Sequence, residues 1–166
     1  MIRPKLLPAL LSLLLLAACG EQGAKAPVVG EPLRPFAAKV LDGDGDLRLP
    51  ESVAGKVVVL RFWATWCAFC KDEMRDIEPF WQQARERGLM VLAVNAGQKP
   101  DEIRPFVAGL GLSYPVLLDP DSRTARAYGV TGLPMTFVID RQGKVRHRIL
   151  GETDMAGLRK MVEELL

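Results

Sequence analysis

Two cysteines three positions apart, in Trp66-Cys67-Ala68-Phe69-Cys70, are the residues of this chain best suited to chemistry. An apolar run, Val57-Val58-Val59-Leu60, leads towards them, and a charged, helix-prone segment beginning Lys71-Asp72-Glu73-Met74 follows. At the start of a helix, unpaired amides and the macrodipole favour a thiolate and can lower a cysteine pKa from about 8.5 to roughly 3.5–7.5. The second cysteine returns to nearly the same side of the helix, within reach of a disulfide. The chemistry this spacing points to is thiol–disulfide exchange, with Cys67 the exposed nucleophile and Cys70 the resolving thiol. Structural zinc is the competing use of such a pair, but zinc normally takes four ligands. Outside the pair the chain offers only Cys19, His147 and scattered carboxylates. The strand–Cys-x-x-Cys–helix context favours redox use.

The elements that must position the pair follow from patterning. Lys56 to Phe62 is almost continuously apolar, as in a strand buried on both faces. The helix from Cys70 runs to about Gly88, with Pro79 inside it. Leu89 to Asn95 is a second central strand, Asp101 to Leu110 a helix and Pro115 to Leu118 a short strand. Asp119 or Asp121 can cap a helix carrying Thr124 to Tyr128. Met135 to Asp140 and Val145 to Leu150, joined by Arg141-Gln142-Gly143-Lys144, form an antiparallel pair. A last helix from Thr153 or Asp154 lines up Leu158, Met161, Val162 and Leu165. Ahead of these, Phe36 to Leu41 and Asp46 to Leu49 read as a hairpin around Asp42-Gly43-Asp44-Gly45, whose Asp-Gly steps suit positive-φ turns. Its aspartates do not make an EF-hand loop, because Leu47 and Val53 stand where Gly and Glu are required. Strands alternating with helices predict an α/β sandwich around a mixed sheet.

With 166 residues, 49% of them apolar, the chain suits one domain with a proper core. Arg3 and Lys5 account for the net charge of +2, so residues 19–166 are balanced and no basic patch points to nucleic acid. Met1 to Lys5 is a short positive region before the apolar run Leu6 to Ala18, which is too short for a membrane span of about 20 residues and fits an export signal over 1–18. Leu16-Ala17-Ala18-Cys19 resembles a lipoprotein lipobox, with Cys19 the acylated new N-terminus and acyl chains as the membrane anchor. Ordinary signal cleavage, for example after Gly20, is the alternative. Glycines and prolines make 19–35 a flexible tether, leaving 36–166 as the domain. Export puts that domain outside the cytoplasm, facing the periplasm or cell exterior, where disulfides persist.

The run Phe62 to Cys70, Val94-Asn95, Tyr128 to Pro134 and Thr136 to Asp140 together resemble the TlpA/ResA family. These are membrane-tethered, extracytoplasmic thioredoxin-fold proteins. The resemblance covers about Phe36 to Leu166, including the N-terminal hairpin and a helix–strand inserted between Asn95 and Asp119. It implies a thioredoxin fold with a mixed central sheet flanked by helices, and thiol–disulfide oxidoreductase activity needing no cofactor. Reduction of protein disulfides is the implied direction, as in cytochrome c or oxidase maturation, with electrons restored by a membrane thiol donor of the CcdA/DsbD type. Oxidant or isomerase chemistry is the enzymic alternative. From other classes come a tethered binding lipoprotein with inert thiols and a copper chaperone of the Sco type using His147, although the Sco cysteines have a different spacing.

The resemblance also gives single residues a meaning. Pro134 matches the cis-proline that faces the cysteines, and its cis peptide presents the Leu133 backbone to an extended substrate segment. Glu73 matches an acidic residue near the active site, placed to exchange a proton with Cys70 as the mixed disulfide resolves. Trp66 would shield the disulfide and contact partners. Arg61 departs from the pattern, because thioredoxin has a buried aspartate there. An arginine in a buried strand is costly unless paired, and Glu73 is the expected partner. Phe69 stands where proline is frequent.

Overall fold

A computed structural model describes residues 26–166; the expected export segment 1–18 and the expected acylation site Cys19 lie outside the described residues. Five strands form the central sheet in the order β5-β4-β3-β6-β7, and a two-stranded hairpin, β1-β2, stands apart from it. The hairpin pairs β1 (Phe36–Lys39) with β2 (Asp46–Leu49) in antiparallel register. Neither Gly43 nor Gly45 takes a positive φ, so the longer connection closes without the left-handed turn expected of its Asp-Gly steps.

At the centre of the sheet lies β3 (Val57–Trp63), every residue of which is buried. It runs parallel to β4 (Leu89–Ala96), which runs parallel to β5 (Val116–Asp119). On its other side β3 pairs antiparallel with β6 (Met135–Ile139), and β6 pairs antiparallel with β7 (Val145–Leu150). The sheet is therefore mixed, as the patterning predicts. Its helices are α1 (Cys70–Ala84), α2 (Pro100–Ala108), the short α3 (Arg123–Ala127) and α4 (Met155–Glu163). Gly88, with φ +99°, ends the 3₁₀ turn Arg85–Arg87 that continues α1 and turns the chain into β4.

Strand alternation sorts the core into two layers. Val57, Val59 and Trp63 point to the layer holding Cys67, Cys70, Met74, Ile77 and Phe80 from the α1 side, Ile103 of α2, and Leu158 and Val162 of α4. Val58, Leu60 and Phe62 point to the other, with Leu49 of the hairpin, Ala125 of α3, Tyr128 and Phe137. Full burial of such side chains is worth about 1.5–3 kcal/mol each, so the apolar side chains of β3, interrupted by Arg61, tie both layers together.

Two helix starts follow the sequence expectation. The Asp119 carboxylate accepts from the amides of Thr124 (3.1 Å) and Ala125 (2.8 Å), and Asp154 accepts from Gly157 (2.6 Å) at the start of α4.

The expected tether needs correction in its described part. The backbone of Gly30 donates to Val145 (2.8 Å), Val145 donates to Glu31 (2.9 Å) and Leu33 donates to Gly143 (2.7 Å), while Pro27 and Leu33 are buried. Glycine and proline content suggested a solvated linker, but these backbone bonds and the burial of Leu33 make the segment part of the domain from well before Phe36. Gly129 permits its passage: a Cβ there would lie 2.3 Å from Ala26 Cβ, and its φ is +62°.

Candidate active site

The chain leaves β3 at Trp63 and enters α1 at Cys70 through a tight turn. The amide of Cys67 donates to Ala64 (3.1 Å) and that of Cys70 to Cys67 (3.2 Å). Cys67 therefore stands in the turn leading into the helix, rather than in its first turn. The two sulfurs are joined in a disulfide, with Cα atoms 5.4 Å apart, inside the range such a bond requires.

Burial corrects one expectation. Cys67 is only 6% exposed and Cys70 has no exposure at all; the surface is held instead by Trp66, 69% exposed, and Phe69, 53% exposed. The turn directs both sulfurs into the apolar layer with Trp63 and Met74, while the residues between and beside them face outward. Of the two sulfur-bearing residues, Cys67 alone touches solvent. Trp66 belongs to the surface and not to the core.

The turn is braced from β4. Buried Asn95 donates through Nδ2 to Gln98 Oε1 (3.1 Å); the same oxygen accepts from the Thr65 amide (2.8 Å), and Gln98 Nε2 donates to Thr65 Oγ1 (2.7 Å). Gln98 thus fixes the residue two positions before Cys67. Sequence reasoning missed it, because one glutamine after a strand has no signature; only the pairing of β3 with β4 brings it to Thr65. An unmet buried polar group costs about 1–3 kcal/mol, so Gln98→Leu is expected to lower stability by about that much, read as an earlier midpoint in urea unfolding.

Opposite the turn, the Leu133–Pro134 peptide is cis, as the resemblance implies. The register pairs Met135 with Phe62, which puts the 131–134 loop at the same end of the sheet as the cysteines. Leu133 packs partly against the layer that contains Cys67 and Cys70, and the Pro134 carbonyl accepts from Gly151 (2.8 Å).

Glu73 follows Cys70 by three residues, one helical turn along the same face. Its carboxylate pairs with the Arg61 guanidinium, and its Oε1 accepts from the Thr153 amide (2.8 Å). Arg61, 1% exposed, also donates from Nη1 to Thr136 Oγ1 (2.9 Å). The pairing foreseen from sequence is present. Burial pushes the Arg61 guanidinium below its ordinary value, and the Glu73 carboxylate works against that shift. Beyond Glu73 a groove of about 410 Å³ opens, walled by Phe69, Asp72, Asp76, Glu152 and Asp154.

His147 lies elsewhere. It pairs with Val138, which pairs with Val59, so it sits two strands from β3 and level with its middle, away from the cysteine end. Among the described residues no three His, Cys, Asp or Glu side chains are grouped to hold a metal ion. No helix among the described residues is long and apolar enough to cross a membrane.

Comparison with known proteins agrees with this geometry. Residues 29–148 match the AhpC/TSA family model. The thiol-disulfide oxidoreductase ResA of Geobacillus thermodenitrificans is 35% identical over 162 residues, 92% of this chain and 91% of that protein. The ResA of Bacillus anthracis is 35% identical over 113 residues, 68% of this chain and 65% of its own length. Among solved structures, a putative thiol:disulfide interchange protein DsbE from Chlorobium tepidum superposes with a TM-score of 0.77 at 30% identity, covering 85% of this chain and all of that one.

Proposed function

The chain belongs to the AhpC/TSA family and is a thioredoxin-fold thiol–disulfide oxidoreductase of the ResA kind, and from that premise we propose that it reduces protein disulfides outside the cytoplasm. The observation that carries the reading is the Cys67–Cys70 disulfide at the mouth of α1, where Cys67 keeps a 6% exposure and Cys70 keeps none.

In the reduced protein the Cys67 thiolate attacks one sulfur of a substrate disulfide. A Cys67–substrate bond forms, the substrate S–S bond breaks and the first substrate sulfur leaves as a thiolate. The Cys70 thiolate then attacks Cys67 Sγ, restoring the internal disulfide and expelling the second substrate sulfur. Two electrons pass to the substrate, and the two protons lost by the cysteines are balanced by two taken up by its sulfurs.

Leu133 and Pro134 receive the extended segment around the substrate cysteine, and Trp66 supplies apolar contact beside it. Glu73 acts next to Cys70, while a membrane thiol donor of the CcdA/DsbD type returns the electrons. An export signal over 1–18 directs the chain out of the cytoplasm and is removed, and acylation at Cys19 tethers the domain to the membrane. Maturation of cytochrome c or of an oxidase is the process such a reductant serves.

Equilibration of the exported domain with glutathione or dithiothreitol buffers tests the direction. A potential near or below about −270 mV is expected of a reductant; one near about −120 mV marks an oxidant and overturns the proposal.

A further inference from the structure

The Arg61–Glu73 pair joins the elements that build the redox site. Arg61 reaches from β3 to Thr136, its register partner on β6 and two residues beyond cis-Pro134. It also reaches Glu73 on α1, and Glu73 in turn holds the Thr153 amide at the approach to α4. By strand alternation Arg61 points to the same layer as Val59 and Trp63, the layer that contains Cys70. A buried cation and a nearly buried anion therefore stand together one helical turn from the resolving sulfur.

We propose that Arg61 is a positioning residue of the redox site, acting through Glu73 to balance the charge beside Cys70 in the reduced protein. Reduction of the disulfide takes up two electrons and two protons, and exchange requires a thiol to lose its proton again. The negative charge so formed lies beside a pair whose net charge is zero, so the couple feels little field. Removing one member leaves the other unbalanced in surroundings of low dielectric, where a lone charge acts strongly.

The two removals act with opposite sign. Glu73→Gln leaves the guanidinium, which stabilises a thiolate; the reduced form gains and the couple becomes more oxidising. Arg61→Met leaves the carboxylate, which disfavours a thiolate and makes the couple more reducing. The other titratable groups facing the pair are Tyr114, whose hydroxyl donates to the Met74 carbonyl (2.7 Å), and the carboxylates of Asp72, Asp76, Glu152 and Asp154 around the groove. They are the same in every variant, so their contribution cancels in the comparison.

The test equilibrates the wild type, both single variants and Arg61→Met/Glu73→Gln with glutathione buffers at pH 8, and follows the alkylation rate of reduced Cys67 against pH. The expected result for Glu73→Gln is a tenfold or larger shift of the equilibrium constant towards the reduced form, about 30 mV, with alkylation extending to lower pH. Arg61→Met is expected to shift both readouts the other way, and the double variant to return towards wild type. Where Arg61→Met is too unstable to measure, Glu73→Gln and the double variant decide alone. Equal potentials in those two and the wild type, or shifts of one sign in every variant, would overturn the assignment, because a purely structural role has no sign. The inference needs only the Cys67–Cys70 couple, whichever way electrons flow. A wild-type couple with the potential of an oxidant sinks the proposed direction and leaves this comparison intact.

Discussion

Cys67→Ser is expected to lose protein-disulfide turnover by on the order of 10³-fold or more, the scale on which loss of a nucleophile acts. A serine hydroxyl is a poor nucleophile at neutral pH and forms no bond to Cys70, so both steps of the exchange disappear. Cys70→Ser behaves differently: the first attack proceeds, the second does not, and substrate accumulates as a covalent adduct on Cys67. The asymmetry follows from burial, since Cys70 has no solvent exposure and its reach is confined to the neighbouring sulfur across a Cα separation of 5.4 Å. Non-reducing gel electrophoresis and mass spectrometry with a disulfide-bearing protein decide the matter. Adducts found on Cys70 of the Cys67→Ser variant would reverse the two roles.

Arg61→Ala is expected to destabilise the fold by about 3–5 kcal/mol, the cost of breaking a buried ion pair and leaving one charge unmatched. Most domains are stable by only about 5–15 kcal/mol, so the urea midpoint should fall steeply with an unchanged slope. Replacing both partners tells a second story. In Arg61→Met/Glu73→Leu no charge is stranded, and stability is expected to return to within roughly 1–2 kcal/mol of wild type, because apolar replacement of a buried pair is often neutral. A loss under about 1 kcal/mol for Arg61→Ala alone would mean that the pair is hydrated like a surface salt bridge.

Arg61 shows how far sequence reasoning reaches. An arginine inside Val57-Val58-Val59-Leu60-Arg61-Phe62 breaks the rule that buried strands are apolar, and the need for a partner pointed to Glu73. The order of strands and helices, the Asp119 and Asp154 caps and the cis-Pro134 loop were legible for similar reasons: each is written in a local pattern or a motif. What escaped depends on contacts between distant segments. Gln98 gains its role only because β4 lies beside β3. The recessed position of Cys67 depends on the way the Ala64–Cys67 turn rotates both sulfurs inward, which spacing does not encode. The 28–33 segment reads as a linker because its neighbours on the sheet are more than a hundred residues away in sequence.

That segment has a partner at the far side of the sheet. Leu41 donates to Val116 (2.8 Å) and Val40 bridges to Leu117 on β5, just as Gly30, Glu31 and Leu33 bond with β7 and the turn before it. A single stretch of chain thus stoppers part of both outer strands, whose free amides and carbonyls would otherwise template the addition of another strand. Along the remainder of β7, exposed Arg146 and Arg148 discourage such an approach. With part of each flank occupied in this way, the rims of the sheet offer little template for pairing with a strand of another molecule.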